Sequence, residues 1–117
     1  MKFALGEIRG MKDPLTVLIE KQIPIKAAWK LNRLIKSFDK ELGEIEEFRV
    51  NLVQKLGDTG EDGNIQVPKD KMSIFVEEFN ELLSQEVDIE FDPIDIDVFG
   101  DVSLSAKDML LLDKIFK

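Results

Sequence analysis

Apolar residues between Pro24 and Gly57 recur at alternating steps of three and four positions. This spacing places them on one stripe of an α-helix. The segment holds no internal proline and one internal glycine, Gly43. It therefore predicts a single helix over residues 24–57, about 50 Å long at about 1.5 Å per residue. Because that length exceeds the width of a small domain, we expect another segment or a second copy to cover part of the stripe. The stripe consists of Ala28, Leu31, Ile35, Phe38, Leu42, Ile45, Leu52 and Leu56.

The seven-residue repeat of this stripe is interrupted once. Arg49 stands where the repeat requires an apolar residue, and we expect the neighbouring Phe48 to take over the contact. Such a break favours a globular helical hairpin over an extended coiled coil.

The amino-terminal region predicts a short helix after an apolar opening segment that ends at Gly10. Asp13 and Pro14 have the form of a helix start, with an N-cap acid and a proline at the first helical position. We therefore expect this helix over residues 14–22.

Two further helices follow the glycine-rich loop at residues 57–64. Residues 68–85 carry an apolar stripe at helical spacing, and the loop predicts that this helix runs back antiparallel to the long one. Ser105 and Asp108 have capping-box spacing, so a C-terminal helix is expected over residues 106–116. The stripe of the 68–85 helix consists of Met72, Phe75, Val76, Phe79, Leu82 and Leu83.

The hydrophobic period changes to 2 in the β segment, residues 86–99. Residues 86–91 and 94–98 each alternate apolar with acidic residues, which predicts two strands separated at Pro93. Direct pairing would place like charges opposite one another, so the pair either opens at the proline into two edge segments or binds a cation. The acid row is consistent with a metal site, a mimic of nucleic-acid phosphates, or a charged guard on an exposed edge. The chain thus predicts a mainly α fold with a small β element (α+β), in one domain over residues 1–117.

Charge and composition limit the kinds of function that the chain can have. The first 40 residues hold nine basic and four acidic residues, a net charge of +5, whereas the remainder holds seven against twenty, a net charge of −13. The chain has neither cysteine nor histidine, which removes thiolate chemistry and the commonest general base and metal ligand. We expect no catalysis, metal or cofactor, and a reducing cytoplasmic compartment without a membrane span.

Three groups of residues are candidates for partner binding. A basic stripe follows one side of the long helix, the acid row follows the β segment, and the C-terminal helix has more apolar residues than one packing face requires. Trp29 is the only tryptophan, and its position at the edge of the stripe predicts a core-edge residue. The candidates are Lys26, Lys30, Arg33 and Lys36; Asp88, Glu90, Asp92, Asp95, Asp97 and Asp101; and Met109, Leu112 and Phe116.

Three segments together resemble one protein family. They are Leu5-Gly6-Glu7-Ile8-Arg9 followed by Ile23-Pro24-Ile25-Lys26; Gly60-Glu61-Asp62-Gly63-Asn64-Ile65-Gln66-Val67-Pro68; and Phe99-Gly100-Asp101 through Leu104-Ser105 to the leucine-rich tail. In these segments the chain resembles uncharacterised short proteins encoded by tailed phages and prophages of Gram-positive bacteria. The resemblance implies a phage origin and the cytoplasm of an infected or lysogenic bacterial host, and it implies no activity or catalytic residues.

The sequence therefore favours a non-catalytic protein-protein interaction or accessory protein that self-associates. The alternative is an acidic, phosphate-mimicking inhibitor of a host nucleic-acid-binding or defence protein, which would bind a basic host protein. Direct binding of nucleic acid through the lysine stripe is disfavoured by the net charge of −8.

Overall fold

The computed structural model describes residues 1–60 and 62–117, so Glu61 of the glycine-rich loop and of the second resemblance segment lies outside the described residues. The fold is mainly α-helical with small antiparallel β pairs, and the predicted fold class is confirmed. In chain order the elements are β1 (Lys2–Ala4), α1 (Leu5–Ile19), α2 (Ile25–Leu56), β2 (Asp58–Thr59), β3 (Ile65–Gln66), α3 (Lys69–Leu83), β4 (Glu86–Asp88), a 3-10 helix (Ile96–Phe99), α4 (Ala106–Leu112) and a second 3-10 helix (Asp113–Ile115).

The long helix is continuous, as its hydrophobic period predicts. Helix α2 has 32 residues, which corresponds to about 48 Å. The molecule measures 53 × 28 × 23 Å, so this one helix accounts for nearly all of its length. Helices α1 and α3 both pack against it.

The buried seam of α2 differs from the predicted stripe at two places. Near its start Ala27 and Leu34 are buried, whereas Ala28 and Ile35 are only partly covered. Farther along, Phe48 is exposed and does not replace Arg49, which is itself half-buried. The Arg49 guanidinium lies along the helix because it donates to both carboxylate oxygens of Glu46, at 3.0 and 2.6 Å. Arg49 is thus partly covered at this position while its charged end is paired with Glu46 at the surface.

The predicted start of the first helix at Pro14 is wrong. Helix α1 begins at Leu5, runs through Gly10 and ends at Ile19, with Pro14 buried inside it. Pro14 donates no hydrogen bond to the Gly10 carbonyl, and a proline ring crowds the residue four positions earlier. The helix persists because its apolar residues at spacings of three and four are all buried. These are Leu5, Ile8, Met11, Leu15 and Leu18.

The main hydrophobic core lies in what we call the lobe, formed by α1, the first half of α2 and both chain ends. Its largest fully buried side chains come from all of these parts, and the rings of Phe3 and Phe38 meet edge to face with centroids 5.2 Å apart. Lys114 ties the two chain ends together: its Nζ lies 3.3 Å from Glu7 Oε1 and 4.9 Å from the Phe3 ring centroid, and it also donates to the Lys2 carbonyl oxygen. The lobe is therefore closed by residues more than 100 positions apart.

The second half of α2, from Ile45 onward, forms with α3 what we call the arm. Here α3 packs on α2 as expected, but of its predicted stripe only Phe79 is buried. Met72 and Val76 are exposed, and Phe75, stacked on Phe79 at 5.8 Å, is half-buried. The hairpin of α2 and α3 therefore supplies only part of the interior, and most of the buried apolar residues come from α1, the first half of α2 and the chain ends.

The two predicted strands of the β segment do not pair with each other. Strand β4 pairs antiparallel with β1, with Phe3 opposite Val87. The predicted strand 94–98 is replaced by one bridge, from Ile94 to Phe116, and by the 3-10 helix that starts at Ile96. Opening at Pro93 lets each piece pair with a different chain terminus, which separates the acids that direct pairing would have juxtaposed.

The C-terminal helix is shorter than predicted. Helix α4 ends at Leu112 and the chain continues as a 3-10 turn. Its predicted start is confirmed, since the Ser105 hydroxyl accepts a hydrogen bond from the Asp108 N–H at 3.0 Å.

Candidate protein-interaction surface

The first turns of α2 present two large apolar side chains to solvent. Ile25 is 86% exposed and Trp29, one turn later, is 59% exposed. The Arg33 guanidinium lies 4.9 Å from the Trp29 ring centroid, within the range of a cation–π contact. We refer to Ile25 and Trp29 together as the knob.

The predicted core-edge role of Trp29 is wrong, and the shift of the α2 seam explains why. The buried residues in this part of the helix are Ala27, Leu31, Leu34 and Phe38. At 100° per residue, Trp29 lies about 170–180° from the centre of that set. Sequence reasoning missed Ile25 for the same reason. Exposure of Ile25 and Trp29 follows if the buried seam begins at Ala27 instead of Ala28. Because both residues are alanine, the sequence does not distinguish the two seams.

The basic stripe and part of the acid row line two adjoining depressions that share Lys30, and we call these two depressions together the cleft. Its lining includes Lys26, Lys30 and Arg33 on the α2 side, and Glu90, Asp92 and Asp95 on the other. Within the part of the chain that the structure describes, none of these six charges belongs to an ion pair within 4.0 Å. The two rows therefore reduce each other's field at a distance while each remains available to a partner. Lys36 is exposed on the same helix, one turn beyond Arg33.

The rest of the acid row is dispersed. Asp88 accepts a hydrogen bond from the N-terminal ammonium of Met1 at 3.0 Å. Asp97 and Asp101 line a different depression. The fold therefore divides the acids into three settings, and they do not form one continuous acidic surface.

That depression, which we call the C-terminal groove, has a volume of about 600 Å³. Two of the predicted apolar candidates contribute to it: Met109 and Phe116, whose ring meets Phe99 edge to face at 5.4 Å. Leu112, the third candidate, is 0% exposed and belongs to the core, so it cannot contact a partner; Leu110, which sequence reasoning did not select, is 77% exposed. The groove is lined by Leu18, Ile96, Asp97, Phe99, Gly100, Asp101, Val102, Ser103, Leu104, Met109 and Phe116.

The titratable groups with shifted pKa values lie away from these surfaces. The hydrogen bond from Arg49 lowers the pKa of Glu46, and the same bond raises the pKa of Arg49. Hydrogen bonds from the backbone and side chain of Asn64 lower the pKa of Asp62. All three groups are on the surface, and each shift has a partner within three residues. None of these three groups belongs to the knob or the groove. The knob and the groove instead expose apolar side chains next to charged residues that form no ion pair in the described chain, and protein interfaces combine apolar and charged contacts.

Residues 1–60 and 62–117 contain no group of three or more acids that is placed to hold a metal ion. None of the helices in these ranges is both long enough and apolar enough to cross a membrane. The chain matches no protein-family model, no curated protein and no solved structure.

Proposed function

We propose that this protein is a non-catalytic interaction protein that self-associates, and that it acts as a phage accessory factor in the cytoplasm of a bacterial host. The observation that carries self-association is the exposure of Ile25 and Trp29 side by side on α2. The resemblance of the three sequence segments supports the phage setting.

The energetic argument rests on the size of these two side chains. Burying a large apolar side chain stabilises a contact by about 1.5–3 kcal/mol. Tryptophan and arginine are also the residues most often found at the energetic centres of protein interfaces. Trp29 with Arg33 over its ring, next to Ile25, has that composition. A contact that covers the knob would therefore gain several kcal/mol before the entropic cost of association is subtracted.

The geometry supports self-association better than it supports the phosphate-mimicking alternative. A mimic of nucleic acid needs a continuous negative surface, because phosphates are regularly spaced along a strand. Here Glu90, Asp92 and Asp95 face the basic stripe across the cleft, and Asp88 is paired with the N-terminus. The field of the acids at the surface is reduced accordingly.

The test is sedimentation velocity over a wide range of protein concentration in dilute salt, combined with tryptophan fluorescence. Because Trp29 is the only tryptophan and the chain has no tyrosine, the emission reports on the knob alone. We expect the sedimentation coefficient to rise with concentration and the emission to shift to shorter wavelength in parallel. Ile25→Ser should weaken association, whereas Ile74→Ser, which alters an exposed isoleucine on the arm, should not. A single monomeric species with constant emission at all concentrations would contradict the proposal.

A further inference from the structure

We propose that the knob of one copy inserts into the C-terminal groove of a second copy, and that the reciprocal contact forms at the same time to give a two-fold symmetric dimer. This inference rests on the proposed function and names the surface that receives the knob.

The groove has the size and lining that the knob requires. Its volume of about 600 Å³ lies within the range of pockets that bury most of a drug-sized ligand. Its walls include Phe99, Val102 and Met109. Methionine and phenylalanine adapt to an inserted aromatic ring through thioether and edge-to-face contacts. An indole ring with an adjacent isoleucine is therefore a suitable occupant.

Cations beside the knob can pair with carboxylates at the groove of a second copy. Lys26, Lys30 and Arg33 face Glu90, Asp92 and Asp95 of their own chain, which reduces their field, but none of the three cations forms an ion pair within 4.0 Å among the described residues. The groove carries Asp97 and Asp101, both exposed. Insertion would bring the cations toward these carboxylates while apolar residues exclude water at the centre. An apolar centre with a charged rim is the usual anatomy of a protein interface.

The knob and the groove lie at neighbouring positions on the lobe. Leu18, near the end of α1, lines the groove, and a short turn then leads to Ile25. On the other side Val98 lines the cleft with Lys26, while the next residue, Phe99, lines the groove. Because the two complementary surfaces share one end of the molecule, a two-fold axis between copies satisfies both contacts at once. Such an isologous arrangement closes as a dimer.

The arm is the competing location for self-association, and its charge disfavours it. The exposed apolar residues of α3 share that helix with four acids and two lysines. Two such helices brought together would repel one another. Met72 and Val76 are also less exposed than Ile25 and Trp29.

The experiment uses two charge-reversed variants of the full chain: a knob variant, Lys26→Glu/Lys30→Glu, and a groove variant, Asp97→Lys/Asp101→Lys. In either variant alone, both contacts of the dimer would join like charges. We expect the dissociation constant of each to rise about tenfold or more in sedimentation. When the two variants are mixed, glutamates of one chain meet lysines of the other, and the remaining contact pairs the native residues. The mixture should therefore form a one-to-one heterodimer, with Trp29 emission again shifted to shorter wavelength.

An arm variant, Met72→Glu/Val76→Glu, serves as the matched control and should associate like the unmodified chain. Circular dichroism of every variant should match that of the unmodified chain, because all the substituted positions are exposed. If the unmodified chain dimerises, the charge-reversed variants dimerise equally well and the arm variant dissociates, the inference is overturned while the proposed function stands. If mixing fails to restore association, or if open arrays form instead of dimers, the reciprocal contact is overturned. A strictly monomeric unmodified chain overturns both.

Discussion

Leu112 provides the most direct test of how the core is divided, because its sequence pattern and its position in the fold point to different roles. The pattern makes it a candidate for partner binding, whereas the structure buries it completely in the lobe. Leu112→Ala removes three carbon atoms from a closed site. At about 0.8 kcal/mol for each buried methylene, the lost transfer free energy is about 2.4 kcal/mol.

A cavity term adds to this amount, because the surrounding side chains relax only partly. Leucine-to-alanine substitutions at buried sites therefore cost about 2.7–5 kcal/mol in total. We expect Leu112→Ala to fall within that range, since Leu112 is fully buried and its helix packs against α1. Against a total stability of about 5–15 kcal/mol for a domain, such a loss is a large fraction.

The assay is urea denaturation followed by circular dichroism, at one low protein concentration so that association contributes equally to each variant. Leu110→Ala is the matched control on the same helix: Leu110 is 77% exposed, and we expect its substitution to change the free energy of unfolding by less than about 0.5 kcal/mol. A cost below about 1 kcal/mol for Leu112→Ala, or equal costs for the two variants, would refute the burial of Leu112 in the core.

Two further predictions concern local structure. An added Cβ at Gly43 would have no neighbour within 4 Å, so Gly43→Ala should raise the free energy of unfolding by about 1 kcal/mol through helix propensity. At Gly57 a Cβ would overlap the Val53 carbonyl oxygen and Ile65, so Gly57→Ala should lower the free energy of unfolding. The same denaturation assay measures the change in both variants. The pKa of Glu46 is lowered chiefly by its hydrogen bond from Arg49; because the folded-state pKa is depressed, any stability from this pair is present above the unfolded-state pKa and is lost as pH falls through the folded-state value. An NMR titration should show the Glu46 carboxyl below its ordinary range and should show it restored in Arg49→Met, and an unchanged midpoint in that variant would contradict the assignment.

The elements that the sequence predicts well are those whose signals are local. The period of three and four along residues 24–57 is enough to predict α2, and the spacing from Ser105 to Asp108 is enough to predict the start of α4. In both cases the interacting groups lie within a turn or two of one another, so no knowledge of distant contacts is needed. The fold class follows from the same local patterns.

Local sequence signals predict only part of the candidate interaction surface. The sequence pattern predicts the basic stripe and the acid row. Their position on opposite sides of one cleft depends on the tertiary structure. The position of Trp29 beside Ala28 predicts the core edge, but a stripe that begins at Ala27 fits the sequence almost equally well. In the folded protein α1 and the chain ends pack on the side of α2 that contains Ala27. The buried seam is therefore rotated relative to the predicted one, and the indole of Trp29 lies in solvent.

The 3.6-residue period and the capping signals act over short distances, and they are enough to predict α2, α3 and the start of α4. Contacts between distant segments set the path of α1 through Pro14, the pairing of β4 with β1, and the pairing of Ile94 with Phe116. A helix-breaking proline is tolerated because burial of five apolar residues outweighs the lost hydrogen bond. The strand pairings join the β segment to the two chain termini. Their choice depends on which backbone groups the closed lobe brings within hydrogen-bonding distance, and no local pattern carries that information.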